Sequence, residues 1–110
     1  MTNKDIILFF DKIGELRGKK LPVKLSFAIK VNTEKINPLA NAYNEQVSEI
    51  RKKYENENPN QLVEELTELQ NTEVSIEVQK IDMGTLEKCE LEQFDNLTLG
   101  EIEALAFMIQ

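Results

Sequence analysis

The stretch from Leu21 to Tyr54 constrains this chain more than any other, because its second half admits a single reading. Ile36, Leu39, Tyr43, Val47, Ile50 and Tyr54 recur at spacings of three and four, the period of a helix with one apolar face. The first part, LPVKLSFAIKVN, is double-valued. Val23, Leu25, Phe27, Ile29 and Val31 alternate with Lys24, Ser26, Ala28, Lys30 and Asn32, the period-2 pattern of a half-buried strand. Pro22, however, suits a first helical position, and Leu25, Ala28, Ile29, Asn32 and Ile36 form one helical stripe flanked by Val23, Phe27 and Val31. On pattern alone, the strand reading of 23–31 is slightly ahead. Asn37-Pro38 is the one interruption. Proline pushes the preceding residue away from the helical region, so the helix either kinks there or restarts with Asn37 as its cap.

Around this stretch the remaining elements read more simply. Thr2 followed by Asp5 is a helix-start signal, and Ile6, Phe9, Phe10, Ile13 and Leu16 then fall on one helical face that ends at Gly18. After the turn at 55–60, Leu62, Val63, Leu66 and Leu69 mark a short amphipathic helix, an antiparallel neighbour of the long one. Val74, Ile76 and Val78 alternate with Glu73, Ser75, Glu77 and Gln79, which predicts a strand over 73–79. Cys89 and Leu91 predict a partner strand over 88–92. Thr98 and Glu101 form a capping box that opens a C-terminal helix, with Leu99, Ile102, Leu105, Ala106 and Ile109 on its apolar face and Phe107 and Met108 widening it. The expected fold is therefore a single α+β domain over 1–110, mostly helical, with a small antiparallel sheet.

Several of these segments, in this order, resemble a group of small phage- and prophage-encoded proteins of unknown function. They are LPVKLSFAIKVN, NPLANAY, IRKKYE, VSIEVQKI and LTLGEIEALAFMI, and the resemblance covers most of residues 20–110. In that group the stretch after Leu-Pro is richer in helix formers. The resemblance thus implies a helix over 22–56, kinked or re-capped at Pro38, and a setting in a bacterial cell replicating a viral genome. It lends no catalytic residues.

Composition narrows the chemistry. Hydrophobic residues make up 41% and charged residues 30% of the chain, an ordinary globular balance. With no histidine, Ser-His and Cys-His nucleophiles and histidine metal sites are excluded. The four glycines stand apart, so no phosphate-cradling loop exists. The lone Cys89 reads as a small apolar side chain in a reducing compartment. Glu64, Glu65 and Glu68 read as the solvated face of a short helix rather than as a cation site. The apolar run near the N-terminus is too short for a signal peptide or a membrane span. The expectation is a cytoplasmic protein that is not an enzyme and takes no cofactor or metal.

Charge is polarised as well. Residues 1–36 carry eight basic and four acidic residues, and residues 37–110 carry five and sixteen, within a net charge of −7. Arg17, Lys19, Lys20 and Lys24 crowd one turn and form a candidate basic patch. The acidity of the rest and the lack of an aromatic platform argue against nucleic acid as its partner. Three functional readings follow: an accessory protein that binds and modulates a host or defence protein, a virion or tail-assembly component, or an acidic DNA mimic. A helix over 22–56 spans about 50 Å, whereas a compact chain of this length has a radius of gyration of only about 13 Å. Something must cover the overhang, so a homo-oligomer is expected. Phe27, Val31, Tyr43, Phe107 and Met108 are the candidate interface residues. The apolar ending EALAFMIQ is expected to dock, into its own core by preference, with Leu105 and Ile109 more buried than Glu101 and Glu103.

Overall fold

The computed structural model describes every residue except Asn56. Its helices are α1 (Asn3–Arg17), α2 (Val23–Lys53), α3 (Pro59–Gln70), α4 (Met83–Glu87) and α5 (Leu99–Leu105), with 3₁₀ turns at Lys88–Glu90 and Ala106–Met108. The predicted α+β class is corrected: among the described residues there is no sheet, only two isolated bridges, Thr2 to Glu73 and Ile81 to Ile109. The protein is all-helical.

α1 starts where its cap signal stands. Asp5 N–H donates to Thr2 Oγ1, and Thr2 N–H donates to Asp5 Oδ2 at 2.8 Å. α2 takes up its helical stripe in full, with Leu25, Ala28, Ile29, Asn32 and Ile36 all buried. A strand over 23–31 buries Val23 and Phe27 instead, and both are exposed here. Pro38 lies inside α2 without ending it. Proline has no N–H to give the Glu34 carbonyl one turn back, but both residues are exposed, so that carbonyl is not stranded in the core. The helix therefore neither stops nor restarts at Asn37. It ends at Lys53, and Asn56, the last residue of the predicted 22–56 span, lies outside the described residues.

The predicted 73–79 strand has the right alternation and the wrong partner. Val74, Ile76 and Val78 pack on the core while Glu73, Ser75, Glu77 and Gln79 face water. Its backbone bonds go to helices and chain ends rather than to a second strand. Val74 N–H donates to Met1 O at 2.7 Å, and Lys35 Nζ donates to Glu77 O at 3.2 Å. Asn32, fully buried, clamps Gln79 from both sides: Nδ2 donates to Gln79 O at 2.9 Å and Oδ1 accepts from Gln79 N–H at 2.7 Å. A buried amide that satisfies two backbone groups does the work of a neighbouring strand at that point. Replacing Asn32 by Leu is expected to cost about 1–3 kcal/mol, since two part-buried backbone groups lose their partners. Faster amide exchange at Gln79 is the accompanying readout.

The predicted partner strand at 88–92 is also absent. Asp82 caps α4, accepting from Thr85 N–H at 2.7 Å, and the chain continues as a 3₁₀ turn over Lys88–Glu90. Cys89 is buried and Leu91 is half exposed, where a strand puts both on one face.

The C-terminal helix turns a different face inward than its leucine pattern predicts. Glu101, Ala104, Leu105 and Met108 are buried at helical spacing, while Leu99 and Ala106 are exposed. The expectation that Glu101 is less buried than Leu105 is overturned, because both are fully buried. The capping box folds the Glu101 carboxylate back onto Thr98 N–H, and that rotation fixes which side of α5 meets α1.

Together α1, the first half of α2, α4, α5 and the C-terminal turn form the body. Its core is Ile6, Phe9, Leu16, Leu25, Ala28, Ile29, Ile36, Ile81, Cys89, Leu105 and Met108. The outer half of α2, with α3 packed against it, extends from the body as a two-helix arm. The long axis measures 54 Å and the radius of gyration is 16.4 Å, well beyond the roughly 13 Å of a compact domain.

Candidate protein-docking face

The basic turn does not form one patch. Lys19 points inward, its Nζ donating to Glu101 Oε1 at 2.6 Å and to the Asn96 carbonyl at 2.8 Å. Lys20 stays exposed, but its backbone is tied to the same segment: Lys20 N–H donates to Asp95 Oδ2 at 2.7 Å and Lys20 O accepts from Asp95 N–H at 2.8 Å. The turn is thus a fastening between α1, α2 and α5. Burial alone pushes the Glu101 carboxyl up, but the Lys19 ammonium and the Thr98 groups outweigh it and hold the acid below its ordinary value. Glu101 Oε2 has no hydrogen-bond partner. Arg17, Lys20 and Lys24 remain exposed, together with Lys30 nearly two turns further along α2, and none of the four is within ion-pair distance of a carboxylate among the described residues. Arg17, Lys19 and Lys30 line a cleft of about 400 Å³ over Leu16, Leu21 and Ile29.

Beside these cations stands the most exposed apolar pair of α2. Residues four apart share a helix face, and fixing the buried stripe at Leu25, Ile29, Asn32 and Ile36 turns Val23 and Phe27 directly outward. Val23 is 83% exposed and Phe27 58%. Val31, the next residue in this row, is half-buried. α4 packs on α2 close enough for Asp82 to feel the Lys24 charge, and Met83, next in sequence, is half exposed.

The five candidate interface residues do not share a surface. Phe27 and Val31 lie on the α2 row. Tyr43 is half-buried and lines a crevice of about 310 Å³ between α1 and α2, with Phe10 and Asn37. Phe107 stacks edge-on against Phe9, and Met108 is fully buried in the core. Val23 and Lys30 complete the exposed face and were missing from the candidate set. The signal for Val23 was present in its four-residue spacing to Phe27, once the register of α2 is known.

The remaining chemistry of the molecule is spare. No group of three histidine, cysteine or acidic side chains is placed to hold a metal ion among the described residues. Cys89 is buried, which pushes its thiol up and away from the reactive thiolate. Of the described residues, no helix is long and apolar enough to cross a membrane. Comparison with family models, with curated proteins and with solved structures finds no match for this chain, so the functional reading rests on its own geometry.

Proposed function

We propose that this chain is a non-enzymatic accessory protein of phage or prophage type, acting in the bacterial cytoplasm by binding another protein through the outward face of α2. The observation that carries this reading is the Val23–Phe27 pair, exposed on a helix whose opposite side is fully packed, and flanked by Lys20, Lys24 and Lys30. A phenylalanine in water gains nothing for the fold, and aromatic side chains dominate binding energy at interfaces. A rim of unpaired cations speeds encounter with an acidic partner and makes it salt-sensitive. A host or defence protein is the partner class this reading favours.

The test is capture with tagged wild-type protein and with Phe27→Glu in parallel, followed by affinity measurement on the purified partner. The charged variant is expected to bind at least tenfold more weakly, a loss of about 1.4 kcal/mol or more, while melting at the wild-type temperature. Equal affinity of the two proteins contradicts the proposal.

A further inference from the structure

The arm presents a second exposed surface, opposite in character to the first. Val47, Leu62, Leu66 and Leu69 are half-buried along the arm, while Val63 is 62% exposed and is the apolar residue this surface offers. Glu64 adjoins Val63 in sequence and Glu68 follows one turn on. Both are exposed, and neither is within ion-pair distance of a cation among the described residues. Residues 37–70 carry seven acidic and three basic side chains, whereas residues 17–36 carry six basic and one acidic. The ion pair Lys53–Glu65 at 3.2 Å places α3 against the far end of α2. At 1.5 Å per residue, this puts Val63 about 40 Å along α2 from Phe27.

Resting on the reading of the α2 face given above, we infer that a second copy of this chain is also an occupant of that face. The arm of one molecule, through Val63 with Glu64 and Glu68, docks on Val23 and Phe27 with Lys20, Lys24 and Lys30 of the next. The charges select this pairing over the alternatives. Arm against arm sets two acidic surfaces together, and stripe against stripe sets two basic ones together. A separation of about 40 Å along a rigid helix prevents one molecule from satisfying itself. The contact is heterologous, so it propagates head to tail and either closes into a ring or extends.

The experiment is sedimentation velocity on the full chain over a concentration series reaching hundreds of micromolar, at low and at high salt. The mass is expected to rise above the 12.7 kDa of one chain and to fall back with salt. Phe27→Glu disables the stripe and Val63→Lys disables the arm, so each variant alone is expected to stay monomeric while melting as wild type does. Their equimolar mixture is expected to form a dimer and nothing larger, because one intact arm meets one intact stripe. A monomeric wild type, a mixture that stays monomeric, or a Phe27→Glu protein that associates normally overturns the inference. Val63→Lys leaves partner capture through Phe27 untouched. A wild type that stays monomeric while capture still depends on Phe27 therefore removes this inference alone, whereas capture that ignores Phe27→Glu removes the reading beneath it.

Discussion

Replacing Glu101 by alanine is expected to lower the unfolding free energy by about 3 kcal/mol or more, measured by urea titration. The carboxylate is fully buried, and Lys19, its partner at 2.6 Å, is itself only 22% exposed. Truncating the acid leaves an ammonium in a poorly solvated place and frees Thr98 N–H, which the same carboxylate accepts at 2.8 Å. It also removes the group that orients α5 against the α1–α2 turn. The paired change Lys19→Met with Glu101→Leu is expected to recover most of the loss, because removing both charges also removes their desolvation cost. The pH dependence follows from the direction of the shift. The acid sits below its ordinary value in the folded protein, so its contribution is complete above the ordinary carboxylate range and is lost as pH falls through the lowered folded value. Glu101→Gln is expected to flatten that part of the acid limb, and a wild-type and a variant profile of the same slope there contradict the assignment.

Phe9→Ala is expected to cost about 3–5 kcal/mol, the range for a large aromatic removed from a packed core. Phe9 is fully buried and meets two other rings edge-on, Phe10 at 5.7 Å and Phe107 at 5.2 Å between centroids. The ring joins α1 to the C-terminal turn, so its loss opens a cavity between the two ends of the chain. Because small domains are stable by only about 5–15 kcal/mol, this variant is expected to be partly unfolded near body temperature. A midpoint shift worth less than about 1 kcal/mol contradicts the placement of Phe9 at the centre of the core.

The helices were readable where one face had to be apolar and a cap residue announced the start. Thr2 with Asp5 and Thr98 with Glu101 mark their helices at the residue. The start of α2 has no side-chain cap and its alternation over 23–31 favours a strand, although Leu25 through Ile36 do form its buried side. The alternation at Val74, Ile76 and Val78 was also real, since those side chains do line the core. Alternation reports which side of an extended chain is covered, but not what its backbone bonds to. Here Asn32, Lys35, Met1 and Met108 supply the partners that a sheet otherwise provides. Asn32 is the polar member of an apolar stripe, and its purpose lies at Gln79, a contact that no local pattern encodes. The same holds for the basic turn: four cations within eight residues read as a surface, while Lys19 belongs to Glu101, 82 positions away. On α5 a capping carboxylate overrode the leucine pattern, because satisfying a buried hydrogen bond and an ion pair outweighs covering Leu99.

The central claim is that the outward face of α2 serves recognition and has no part in holding the fold. The most direct test is an amide-resolved spectrum of the labelled protein, recorded free and with the captured partner. Val23 to Val31 and Lys20 are expected to shift or broaden first, while the core around Phe9 and Met108 stays in place. Changes confined to the cleft of about 700 Å³ beside Ile76 to Lys80, with residues 20–31 unmoved, contradict it.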